Sequence, residues 1–154
     1  MNSTYKFLGV FLLLFVAACS DEAITPEEEI RTLIERGVAA AENRSADELD
    51  ELMHRDYLDQ KGYNKKALGK LLRLYFYQHK NIYLFTRIGE IQLLSDNEAE
   101  VDMHVAMAGS VIADVNALAS LRARMYRFEL RLVKDEEWLL QHARWSPATL
   151  ADMQ

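Results

Sequence analysis

Apolar side chains recur along this chain at two periods, and the change of period divides it. From Ile30, the residues Leu33, Ile34, Val38 and Ala41 are spaced three or four apart, the interval that lines one face of an α-helix. Thr25-Pro26-Glu27-Glu28 precedes them as a start signal: a hydroxyl cap, proline at the first helical position, glutamate at the third. Ser45-Ala46-Asp47-Glu48 is a second such signal, and Leu49, Leu52, Met53 and Tyr57 continue a helical stripe behind it. Asp56 to Gly62 (DYLDQKG) reads as a turn or a small hairpin. Asn64 caps a third predicted helix carrying Leu68, Leu71, Leu72, Tyr75 and Phe76.

Past His79 the period falls to two. Residues 81–94 are rich in β-branched and aromatic side chains, with Gly89 as a candidate bulge. Val101, Met103, Val105 and Met107 then alternate with Asp102, His104 and Ala106. Gly109 to Ala119 reads either as a loop or as a bent strand end. The following strand changes phase: Leu121, Ala123 and Met125 are apolar on odd numbers, and Tyr126, Phe128, Leu130 and Leu132 on even ones. One extra residue near Met125–Tyr126 would swap the faces, so a bulge is predicted there. Trp138 to Trp145 forms the last strand, which Pro147 ends. The two tryptophans stand on opposite phases, one predicted for the core and one for a pocket rim or a dimer face.

Before the first helix, Phe7 to Ala18 has no polar side chain. Twelve residues span about 18 Å as a helix, short of the roughly 30 Å of bilayer hydrocarbon, which suits a signal peptide better than a membrane span. The run closes with Val16-Ala17-Ala18-Cys19-Ser20. This resembles the bacterial lipoprotein signal, in which small residues precede an obligatory cysteine. The resemblance implies that residues 1–18 are removed and that Cys19 becomes the acylated first residue. It also implies a location in the cell envelope, with the membrane as a partner through lipid on Cys19. Ser20 rather than Asp after the cysteine implies the outer membrane, facing the periplasm. Residues 19–24 then form a tether, 25–148 the folded domain and 149–154 a C-terminal tail.

Composition narrows the rest. The chain has 154 residues, half of them hydrophobic, which supports one ordinary domain able to bury a core without staples. Cys19 is the sole cysteine, so intramolecular disulfides and cysteine-based zinc sites are excluded. Asp and Glu outnumber Lys and Arg by 24 to 18, which argues against a nucleic-acid partner.

Three N-terminal helices followed by a strongly bent antiparallel sheet make an α+β plan. With Asp56-Tyr57, Asp59 and Gly62 after the second helix, the YFYQH end of the third, and Trp138 with Ala143-Arg144-Trp145 at the close, it resembles the NTF2-like (SnoaL-like, cystatin-like) cone fold. The resemblance implies an apolar pocket between helices and sheet, and a homodimer through the outer sheet face. It leaves open whether the domain binds or catalyses, because the fold hosts both.

Tyr57, Met103, Met107, Tyr126, Phe128 and Trp138 are the predicted pocket-lining residues. Isomerase-type chemistry needs a buried general base facing a hydrogen-bond donor. The inward strand positions Val101, Met103, Val105, Met107, Tyr126, Phe128, Leu130 and Leu132 include no carboxylate or histidine, and Asp102, His104 and Glu129 lie on the other phase. Tyr57 and Asp59, beside Tyr63, are the candidate catalytic pair; alternatively Asp59 orders the turn and Tyr57 packs. His54, Asp56 and Asp59 lack metal-ligand spacing, so no metal or other cofactor is implied. His79 suits a helix C-terminus. Arg122, Arg124, Arg127, Arg131 and Arg144 either hold an anion or pair with Glu90, Glu100, Asp102 and Glu129, and the acidic balance favours pairing. The leading functional expectation is a lipid-anchored module for small-molecule binding or protein interaction; the alternative is a small isomerase- or dehydratase-type enzyme.

Overall fold

The computed structural model describes residues 23–120 and 123–154. Cys19, the whole run before it, and Leu121 and Arg122 lie outside them. The first helix, α1 (Pro26–Glu42), starts where its cap chemistry places it: the Thr25 hydroxyl accepts from the Glu28 amide, and the Glu28 carboxylate accepts from the Thr25 amide at 2.7 Å. α2 (Ala46–Glu51) is capped by Ser45. α3 (Lys65–Gln78) is capped by Asn64, whose Oδ1 accepts from the Ala67 amide at 3.0 Å.

Between α2 and α3 the chain departs from the predicted run of three helices. Met53–Asp59 is a strand, β1, and not the continuation of the α2 stripe. It is followed by β2 (Tyr83–Ser95), β3 (Glu98–Ala108), a short helix α4 (Ala117–Ser120), β4 (Arg124–Lys134) and β5 (Trp138–Pro147). The sheet order is β1-β5-β4-β3-β2. β1 runs parallel to β5 and the other neighbours are antiparallel, so the sheet is mixed rather than wholly antiparallel. Among the described residues no helix is long and apolar enough to cross a membrane.

Bulges decide which side chains share a face. The register of β2 slips by one residue between Ile88 and Ile91, at Gly89, where a Cβ would lie 3.1 Å from the Asp102 carbonyl oxygen. The bulge expected at Met125–Tyr126 is absent, since β3 and β4 pair without interruption from Met107–Arg124 to Glu98–Val133. The change of phase instead marks where the chain covers the outer face: Met125, paired with Ala106, packs there with Ile112, Val115 and Leu118, while Ala123 precedes the strand and its amide donates to the Leu118 carbonyl. A bulge that the alternation did not reveal lies in β5, where Leu132 pairs with Leu140 and Arg131 with His142. It carries one extra residue, Gln141, and turns Trp138 and Trp145 to the same side despite their opposite phases.

α1 lies on the inner face. Ile30, Leu33 and Ile34 pack on Val101, Met103, Leu132 and Trp138, and the Trp138 indole donates to the Glu29 carboxylate at 3.0 Å. The inner face of α3 packs Phe76 with Ala46 and Ile82. On the outer face, one end of the sheet is covered by the chain itself. Gly109–Asn116 is a loop, and with α4 and a 3-10 turn at Leu150–Met153 it closes over Phe85, Ala106 and Met125. The last residues, expected as a tail, thus bury Met153. Among the described residues the core clusters are built from residues between Ile30 and Met153.

Candidate functional site

The helices do not fill the space above the sheet. An apolar cavity of about 430 Å³ lies between α1, α3 and the inner strand faces. That volume falls in the range of small-molecule pockets. α1 contributes Leu33, Ile34, Gly37 and Val38, α3 contributes Leu68 and Leu72, and the sheet contributes Met103, Val105, Phe128, Leu130, Leu132 and Trp145 among others. Of the expected lining residues, Tyr57, Met103 and Phe128 take that position. Met107, Tyr126 and Trp138 do not. Met107 meets the Tyr75 hydroxyl, Tyr126 stands edge-on to Phe128, and Trp138 is buried under α1. Trp145 lines the cavity because the Gln141 bulge turns it inward.

β1 brings the two polar groups of interest to this cavity. Tyr57 and Asp59 are two residues apart, share a strand face, and are 2% and 3% exposed. Burial, reinforced by the nearby Asp59 carboxylate, pushes the Tyr57 phenol well above its ordinary pKa, so it is a proton donor and not a base at neutral pH. The two oxygens of Asp59 have different circumstances. Oδ1 accepts from the Lys61 amide at 2.8 Å and the Tyr63 amide at 2.9 Å, which holds the turn after β1. Gly62 completes that turn at φ +83°, a conformation glycine adopts without strain. Oδ2 is buried and has no hydrogen-bond partner among the described residues. Asp59 thus orders the turn through Oδ1 and is among the residues lining the cavity.

Above the turn, Gln60 substitutes for a strand residue. Its side-chain amide donates to the Trp145 carbonyl at 2.8 Å and accepts from the Trp145 amide at 3.3 Å. Lys61 lies over the Trp145 ring, 5.4 Å from its centre. Tyr63, half exposed, is part of this turn and not of the cavity wall.

The other candidates lie elsewhere. His54 is buried on β1, with Nδ1 accepting from the Asp56 amide at 3.2 Å and Nε2 3.4 Å from Asp135 Oδ2. Asp59 is not with them, and among the described residues no three His, Cys, Asp or Glu side chains gather as a metal site. His79 ends α3, stacked on Tyr75 at 4.0 Å between ring centres. On the outer face three of the arginines are paired, Arg127 with Asp102, Arg131 with Glu98, and Arg144 with Glu129 at 2.7 Å, whereas Arg124, opposite Met107, has no ion pair among the described residues. Asp102 and Glu129 stand opposite each other, so each leans on an arginine; the Arg127 hydrogen bonds hold the Asp102 carboxyl below its ordinary pKa. Arg122 lies outside the described residues.

The α1 contribution to the cavity was missed by sequence reasoning. Gly37, a helix-weakening residue inside an otherwise regular stripe, was the available signal, since a missing side chain there leaves room.

No protein-family model matches this chain, and no curated protein does. Solved structures do. An NTF-2-like protein of unknown function from Shewanella oneidensis MR-1 is 17% identical over 79% of this chain and 99% of its own, with a TM-score of 0.59. A scytalone dehydratase-like protein from Novosphingobium aromaticivorans DSM 12444 is 14% identical over 80% and 84%, with a TM-score of 0.66. A domain of unknown function with a cystatin-like fold from Nostoc punctiforme PCC 73102 is 14% identical over 83% and 81%, with a TM-score of 0.62. At these identities the likeness establishes the fold: an NTF2-like, cystatin-like α+β domain.

Proposed function

We propose that this chain is a lipid-anchored binding module of the bacterial envelope, tethered through acylated Cys19 and holding an apolar small molecule in the cone cavity. The observation that carries the reading is a ligand-sized apolar cavity with Asp59 among its lining residues, one of whose carboxylate oxygens is buried without a hydrogen-bond partner among the described residues. A buried acceptor left unpaired costs about 1–3 kcal/mol, and a hydroxyl or amine on the bound molecule recovers it. The ligand class is thus a largely apolar molecule with one hydrogen-bond donor. A homodimer through the outer sheet face belongs to the same reading.

The second reading is a cavity enzyme of the isomerase or dehydratase type, with Asp59 as base and Tyr57 as donor. The scytalone dehydratase-like neighbour and the closeness of the two groups favour it. Against it, both groups project from one face of one strand. Across the cavity the polar side chain is that of Thr86, which is a weak acid.

Native mass spectrometry of the full chain extracted from its own membrane tests the binding reading. The expected spectrum shows acyl chains on Cys19, and a retained small molecule that is lost when Val105→Trp fills the cavity. Full-length, unacylated chain in the cytosol overturns the anchor. A retained molecule that Val105→Trp leaves in place overturns the cavity assignment. Turnover of a dehydratable hydroxy-ketone that Asp59→Asn abolishes would favour the enzyme.

A further inference from the structure

The charge of this acidic chain is unevenly placed. From Gln60 to Gly89 there is no carboxylate, and the same thirty residues carry seven cations: Lys61, Lys65, Lys66, Lys70, Arg73, Lys80 and Arg87. α3 is the centre of this stretch. Lys65 and Arg73 pair with Asp50 and Asp47, whereas Lys66 and Lys70 have no ion-pair partner among the described residues. Lys66 lies in the first turn of α3, where the helix dipole disfavours a cation. α2 offsets that placement only in part: Lys66 and Lys70 border a groove with Asp47, Asp50 and Glu51, and Arg73 and Lys65 already engage the first two.

The same outer face is apolar where it is not cationic. Lys66, Lys70, Leu74 and Tyr77 follow one another at helical spacing, with Leu71 alongside. Leu71, Leu74 and Tyr77 are 41%, 55% and 85% exposed. Lysines interleaved with leucine and an aromatic residue on one helical face is the pattern of a helix that lies in a membrane interface, with ammonium groups reaching phosphates and apolar groups entering the acyl boundary.

We propose that the outer face of α3 seats the domain on an anionic lipid surface. The net charge of −6 does not oppose this at physiological salt. The groove beside α3 holds the α2 carboxylates too, but it counts five cations against three carboxylates, and charges farther off are screened over about 8 Å. The inner face of α3 lines the cavity with Leu68 and Leu72, so this orientation sets the cavity wall beside the bilayer. The inference is separate from the Cys19 anchor, and its test omits that residue.

The test is co-sedimentation of residues 23–154, whose cooperative thermal unfolding is first confirmed by circular dichroism, with vesicles of phosphatidylcholine alone or mixed with phosphatidylglycerol. Binding to the mixed vesicles is expected, weakening as salt is raised. The double variant Lys66→Glu, Lys70→Glu lowers it by about ten-fold or more. The double variant Leu71→Ser, Leu74→Ser lowers it at unchanged charge. These side chains are exposed or half-exposed, and circular dichroism confirms that each variant is folded. No binding to the mixed vesicles, equal binding to both kinds, or binding that survives the lysine reversal overturns the proposal. So does saturable binding of a polyglutamate peptide at this face without vesicle binding, which would assign it to an acidic protein.

Discussion

Asp59 does two separable jobs, and two substitutions separate them. Asp59→Ala removes the acceptor of the Lys61 and Tyr63 amides, and should lower stability by about 2 kcal/mol in urea denaturation. Asp59→Asn keeps an oxygen for those amides and puts a donor where Oδ2 was, so it should cost much less stability. Its effect is on binding: ligands offering a donor lose affinity by about ten-fold, and those offering an acceptor gain. Equal stability losses for the two variants would mean that the turn does not depend on Oδ1. At Gly89 the usual sign of a strand substitution reverses. Glycine inside a strand is ordinarily a weakness, but here a methyl group would press on the Asp102 carbonyl at 3.1 Å. Gly89→Ala should therefore destabilise by about 1 kcal/mol, read as a lower urea midpoint at unchanged slope.

Helix ends and strand pairs carry their own tests. Asn64→Ala removes the cap of α3 and should cost about 1 kcal/mol, measured by thermal unfolding. On the outer face, Arg127 holds the Asp102 carboxyl below its ordinary value. A depressed carboxylate stabilises the fold above its unfolded pKa, and that contribution is lost as pH falls through the lower folded one. Asp102→Asn should hence show a deficit against wild type that is constant from about pH 5 to 8 and closes below about pH 4. A deficit that persists into acid would place its origin in packing. The same elements show what the sequence discloses. The α1 capping box, the Ser45 cap of α2, the α3 cap, the Gly89 bulge and the alternation of β3 are local, and local chemistry is legible; the Ser45 amide goes to the Ala40 carbonyl, so the second box does not close. β1 was not legible: Met53 and Tyr57 are four residues apart, a helical interval, while its real phase joins Tyr57 to Asp59. The strand exists because β5 accepts it, and that pairing is tertiary. The Gln141 bulge is hidden for the same reason, since only its partner β4 reveals the extra residue. With it hidden, Trp145 could not be placed at the cavity.

For the whole molecule, the proposed Cys19 anchor and the proposed α3 contact make separable predictions. The core clusters among the described residues run from Ile30 to Met153, and on the proposed reading anchoring and folding separate. Cys19→Ala should leave the melting temperature of the domain unchanged and alter only its fate. The chain should be released into the periplasm or stall as an unprocessed precursor. One acyl chain alone gives marginal binding, and a second attraction makes it durable. If α3 supplies such an attraction, released Cys19→Ala chain should still associate weakly with anionic membranes and come off in high salt, whereas acylated chain should resist the same wash. Adding Lys66→Glu and Lys70→Glu to Cys19→Ala should then abolish the salt-sensitive fraction. Unchanged processing and salt-resistant retention of Cys19→Ala would remove the anchor from the account, and a salt-sensitive fraction indifferent to the lysines would remove α3.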